Sequence, residues 1–127
     1  MPDLLHCARR VFKRRMGSVR LVQMEAQVLG FERVGDIPGE LIPQTYFDVL
    51  RRRQPASALR PVVDHNALDL IALAALMGEM SRRFRAQGEG WEASDRLGLA
   101  EVSARAGEEG RAASLAGHAA DDAMDTE

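Results

Sequence analysis

The sequence predicts a mostly α-helical fold. Apolar residues recur every three or four positions along most of the 127-residue chain, the spacing that lines one face of a helix. Alanine and leucine, both strong helix formers, are abundant. No segment alternates apolar and polar residues convincingly, as a half-buried strand would. Hydrophobic residues make up 46% and charged residues 28%, which sets the chain among globular proteins rather than disordered ones. Aromatic residues are only 5%, so the core has to come from Leu, Val, Ala and Met.

The first predicted helix covers residues 3–15, with Asp3 as N-cap and Leu4, Leu5, Ala8, Val11 and Phe12 at helical spacing. Gly17 ends it. A second helix starts after Ser18, a natural cap, with Leu21, Met24, Val28 and Leu29 as its stripe and Gly30 as its stop. Residues 35–39 form a loop rich in glycine and proline. Pro43 suits a first helical position and opens a third helix over residues 44–53, whose buried face is Tyr46, Phe47 and Leu50. Residues 54–61 connect it to the longest helix, residues 64–86. On a wheel with His65 at the origin, Leu70, Leu73, Leu76, Met77, Met80 and Phe84 fall between about 20° and 140°, and Asp69 at about 40°, inside that apolar arc. A glycine-containing hinge spans residues 87–92, followed by helices over residues 93–106 and 109–120 and an acidic, fraying tail at 121–127.

Charge is unevenly placed. Residues 1–60 hold eleven Arg/Lys and six Asp/Glu (+5), and residues 61–127 hold six and thirteen (−7). All the cations but Lys13 are arginines, which reflects either bidentate phosphate recognition or a coding bias towards arginine. The single cysteine, Cys7, rules out an internal disulfide and reads as a small core residue. No signal peptide is visible, and the longest apolar run, residues 70–78, is too short to span a bilayer. The expected location is the cytoplasm, with no membrane partner.

The run Asp64-His65-Asn66-Ala67-Leu68-Asp69 carries the candidate chemistry. His65 and Asp69 are four apart on one helix, so their side chains are neighbours. A carboxylate turned towards a packed face needs compensation. A divalent cation supplies it in metal-dependent phosphodiesterases, where a histidine orients or deprotonates the attacking water. Three other readings fit the same spacing: Asp69 favoured by the helix N-terminus, a simple His65–Asp69 pair, or Asp69 meeting an arginine of the first helix.

Three stretches resemble the YprB-type ribonuclease-H-like family, related to the proofreading 3′–5′ exonucleases. The first is Asp3-Leu4-Leu5-His6-Cys7-Ala8-Arg9-Arg10. The second is Leu29-Gly30-Phe31-Glu32-Arg33 with Asp36-Ile37-Pro38-Gly39 and Ile42-Pro43-Gln44-Thr45-Tyr46-Phe47. The third is His65-Asn66-Ala67-Leu68-Asp69, similar to the family's last catalytic motif. Together they cover roughly residues 1–77. The resemblance implies that Asp69 is the last metal-binding carboxylate, for Mg²⁺ or Mn²⁺, and His65 its catalytic neighbour. Related exonucleases place a tyrosine four before the aspartate or a histidine five before it, and this chain has a histidine at the tyrosine spacing. The family's Asp-x-Glu strand and its second aspartate would lie upstream of Asp3, together with the strands of the sheet. The resemblance therefore implies residues 1–86 as the C-terminal helical part of a ribonuclease-H-like α/β domain without its sheet strands, a metal site incomplete on this chain, and a truncated gene, a mis-called start or a split subunit as its origin.

The expected function is that of a partial exonuclease-like protein, not competent alone, that binds single-stranded DNA or RNA through Arg9, Arg10, Lys13, Arg14, Arg15, Arg51, Arg52 and Arg53. The alternative is a non-enzymatic helical interaction module with a protein partner, or with a missing N-terminal half, covering its apolar faces. Residues 93–120 add a hairpin that resembles one tetratricopeptide-type repeat, carried by Leu99, Ala100, Gly107, Ala112, Ala116 and Ala119. A generic alanine-rich hairpin fits equally well.

Overall fold

Six α-helices, joined by single turns of 3₁₀- and π-helix, make up the computed structural model, which describes residues 4–17, 19–86 and 89–124. Among those residues there is no strand, as the periodicity predicts. Helix α1 (Leu4–Met16) buries Ala8, Val11 and Phe12, one residue per turn and its neighbour. Its last turn carries Lys13, Arg14 and Arg15, opposite in sign to the helix C-terminus. Gly17 ends it in the left-handed region (φ 62°), and its N–H donates to the Lys13 carbonyl at 3.2 Å. The expected caps Asp3 and Ser18 lie outside the described residues.

Helix α2 (Leu21–Met24) runs directly into a π-helical turn, Glu25–Leu29, which Gly30 closes at φ 66°. The wider turn lets the Glu25 carbonyl accept from both the Gly30 and Phe31 N–H groups. After the loop at residues 30–38 comes one 3₁₀ turn, Gly39–Leu41, and then α3 (Ile42–Leu50), with Pro43 in its first turn as expected. Helix α3 stops at Leu50 rather than Arg53, because Arg52 turns to φ 56° and the Arg53 N–H returns to the Asp48 carbonyl. Its apolar face is a correction. Tyr46, Phe47 and Leu50 are 48%, 48% and 59% exposed, and α3 packs mainly against the 3₁₀ turns at Gly39–Leu41 and Ala56–Leu59 rather than against the core.

Helix α4 (Arg60–Arg85) starts four residues before the expected Asp64, with Pro61 filling a first-turn position as Pro43 does in α3. Ala72 and Leu76 are buried on it, and Met80 and Phe84 pack against the same core. Leu70 and Met77, at the edges of the expected arc, are instead 70% and 54% exposed. Helices α5 (Ala93–Arg105) and α6 (Glu109–Met124) form the expected hairpin, turned by Gly107 at φ 81°. Helix α6 continues to Met124, four residues beyond the predicted end.

The core gathers α1, the distal half of α4 and the hairpin. Ala8, Val11 and Phe12 meet Met24, Leu76, Leu99, Ala100 and Leu115. Trp91, placed in the expected hinge, is buried there, with its ring centroid 5.5 Å from that of Phe12 and the Arg83 guanidinium 5.3 Å from the same centroid. Helices α1 and α5 approach closely at Gly98. A Cβ on Gly98 would stand 2.1 Å from the Val11 carbonyl oxygen, so only glycine fits.

At this interface the buried Asp95 carboxylate accepts from Arg15 Nε at 2.7 Å. Burial pushes the Asp95 carboxyl up from its ordinary value, and the Arg15 charge and hydrogen bond only partly oppose it. An acid whose folded-state pKa is raised contributes stability that is fully present below its unfolded value of 3.8 and is lost as pH rises through the folded value. Asp95→Asn is therefore expected to compare more favourably with the wild type at about pH 7 than at about pH 3. Urea titrations at the two pH values check this, and an equal difference at both would contradict it.

Candidate functional site

The π turn, the loop at 30–38 and the first half of α4 converge on one guanidinium. Arg33 is only 3% exposed, and it donates to three carboxylates. Nε reaches Glu25 Oε2 at 2.7 Å while Nη2 bonds Glu25 Oε1, a two-pronged contact. Nη1 reaches Asp36 Oδ2 at 2.9 Å, and Nη2 also reaches Asp69 Oδ1 at 2.6 Å. Glu25 is fully buried, and the π turn that carries it packs against α4. The hydrogen bond to Glu25, above all, holds Arg33 well above its ordinary value, against the opposing effect of burial.

His65 sits on the other side of Asp36. Its Nδ1 lies 2.9 and 2.8 Å from the two Asp36 oxygens. An ionised carboxylate only accepts, so Nδ1 carries the proton and Nε2 is left on the side of Asp69. Burial pushes the Asp36 carboxyl up, but the hydrogen bonds and charges of Arg33 and His65 outweigh it and hold that carboxyl below its ordinary value. Asp36 thus stays ionised and fixes the imidazole ring. His65 Nε2 lies 3.6 Å from Asp69 Oδ2, close enough for electrostatic attraction but too long for a hydrogen bond. Asp69 is the most open member, with 36% of its side chain exposed.

The expected neighbours His65 and Asp69 are therefore together. Two of the sequence readings change. Asp69 does meet an arginine, but Arg33 from the loop rather than one from α1. With α4 beginning at Arg60, Asp69 is also well past the first turn, where the helix dipole no longer favours it. Glu25, Arg33 and Asp36 escaped sequence reasoning. A weak signal existed for Glu25, which falls four residues after Leu21, on the apolar stripe.

The residues present do not fit a metal ion. Asp69 brings one carboxylate, and Glu25 and Asp36 are turned onto the guanidinium that fills the space between them. Among the described residues no group of three or more His, Cys, Asp or Glu side chains is spaced to hold a cation.

The structure sorts the predicted nucleic-acid contacts. Arg14 pairs with Glu101 and Arg15 with Asp95. Arg9, Arg10 and Lys13 are exposed along a groove between α1 and α5. In the loop after α3, Arg51 lies over the Phe47 ring at 5.6 Å, Arg52 is the non-glycine residue at φ 56°, and Arg53 is 3.6 Å from Asp48. No helix among the described residues is long and apolar enough to cross a membrane.

Comparison with known families places this helical structure: the chain belongs to the RNase_H superfamily, whose family model matches residues 1–81. Over 81 residues it is 40% identical to the uncharacterized protein YprB of Bacillus subtilis (strain 168), a match that takes in 64% of this chain. The chain spans only 19% of that relative's length. No solved structure matches it.

Proposed function

We propose that this chain is the nucleic-acid-binding portion of a 3′–5′ exonuclease-like protein, and that it does not cleave its ligand by itself. The capture of Asp69 by Arg33 carries this reading. The carboxylate that corresponds to the family's last catalytic motif is held by a guanidinium that Glu25 and Asp36 already share, and those two carboxylates are turned onto the same cation. His65, oriented by Asp36, is placed to hold or pass a proton at Nε2, next to Asp69. Mg²⁺ or Mn²⁺ belongs to an assembly in which further carboxylates join Asp69, because one carboxylate cannot hold two ions. Membership of the superfamily and the exposed cations of α1 support single-stranded DNA or RNA as the ligand.

The test incubates the full chain with end-labelled single-stranded DNA and RNA, with either ion. The expected result is binding at low salt, read by fluorescence anisotropy, and no shortening of the strand on a denaturing gel. Shortening that Asp69→Asn abolishes would overturn the claim that the chain does not cleave alone. A lack of affinity for either strand at low salt would overturn the binding claim.

A further inference from the structure

We propose that the groove between α1 and α5 seats the sugar–phosphate backbone of a single strand, gripped by Arg9, Arg10 and Lys13 on one wall and by Arg105 on the other. The inference deepens the nucleic-acid reading above and rests on it. It adds a residue, Arg105, from a helix that the family match does not reach.

The groove measures about 520 Å³ and has Val19 and Val102 among its lining residues. Four cations and His6 border it, with one acid, Glu101. That acid is already matched. Arg14 pairs with it from outside the groove, and this hydrogen bond, aided by the charges of Arg14 and Arg105, holds the Glu101 carboxyl below its ordinary value. The net field in the groove is therefore positive.

The side chains are also suited to phosphate. Arg9 spends its Nε on the Val19 carbonyl at 3.1 Å, which steadies the guanidinium and leaves its two terminal nitrogens for a bidentate contact. Arg9 and Lys13 are one helical turn apart, about 6 Å along the axis, so each can address a separate phosphate. Several cations elsewhere are committed differently: Arg15, Arg33, Arg82, Arg83 and Arg111 each have a carboxylate partner. Among the described residues no Phe, Tyr or Trp lines the groove, so it lacks a row of large rings on which successive bases could stack, and recognition rests on the backbone regardless of sequence.

The experiment titrates fluorescein-labelled oligothymidylate and oligoadenylate with the full chain over a series of salt concentrations. The variants are Arg105→Ala, the pair Arg9→Ala/Lys13→Ala, and the pair Arg51→Ala/Arg52→Ala. Arg105 is exposed, so circular dichroism should show Arg105→Ala folded. The expected result is equal affinity for the two strands, a loss of about five- to tenfold at low salt for Arg105→Ala, and a fall of about 0.7 in the log–log salt slope per cation removed. Arg105→Lys should restore most of the affinity. If the wild type binds but only the Arg51/Arg52 pair weakens it, the groove is overturned while the nucleic-acid reading stands. If neither strand binds, or the chain binds anionic phospholipid vesicles and not the strands, both fall.

Discussion

Arg33→Met is expected to cost about 3–5 kcal/mol of folding stability, the usual penalty for removing one partner from a buried ionic network. The side chains set its size. Glu25 is fully buried and Arg33 is 3% exposed, so without the guanidinium Glu25 faces neither water nor a counter-charge. Asp36 and Asp69, which share the same cation, would lose their hydrogen bonds to it. Lysine should not rescue, since one ammonium cannot reproduce a fork that serves three carboxylates. Arg33→Met/Glu25→Leu should recover much of the loss, because the costliest orphan is then gone. Urea denaturation of the three variants measures this, and an Arg33→Met protein as stable as the wild type would refute the network's role.

Gly98→Ala should be the most damaging change that adds a single methyl group. The new carbon would come 2.1 Å from the Val11 carbonyl oxygen and 2.8 Å from its carbon, both backbone atoms with no rotamer to change. Helix α1 must then move off α5, loosening Phe12, Leu99 and Ala100 together. Overpacking of this kind costs about 1–3 kcal/mol, and the backbone contact sets the expectation at the upper end. Gly117→Ala is the control: it is exposed within α6, has nothing within 4 Å of the added carbon, and should gain about 0.5–1 kcal/mol from helix propensity. Thermal melts of the two variants should therefore move in opposite directions.

The helices were legible where a periodic face meets a packed neighbour. Ala8, Val11 and Phe12 mark α1, and His65, Asp69, Leu76, Met80 and Phe84 fall on one side of α4 as the wheel places them. Periodicity says which residues share a face but not whether anything covers it, so Tyr46, Phe47 and Leu50 were assigned to an interior that α3 does not have. Pro61 was misplaced in a connection although it starts a helix by the same chemistry as Pro43. The π turn left no mark in the residue pattern, since its extra residue per turn disturbs the very spacing a helical reading relies on.

The site divides in the same way. His65 and Asp69 show up through local spacing, which a single helix imposes. Glu25, Arg33 and Asp36 come from a π turn and a loop, and only the folded chain brings them to α4. Two of the predicted phosphate contacts, Arg14 and Arg15, instead pair with Glu101 and Asp95. Those partners lie eighty or more residues further along the chain, beyond any local rule.

The position of the core also sets an order of opening. Most of its fully buried apolar side chains belong to α1, the middle of α4 and the hairpin, whereas α3 contributes none. Local unfolding free energies follow buried apolar contact, so amide protons of α1, α5 and α6 should exchange last. The segment from Gly30 to Leu59 would breathe at a lower free energy, tethered chiefly by the Arg33 cluster. The molecule is in this sense two-tempered: a durable base of helices, and above it a looser arm whose single ionic rivet also decides whether Asp69 is free.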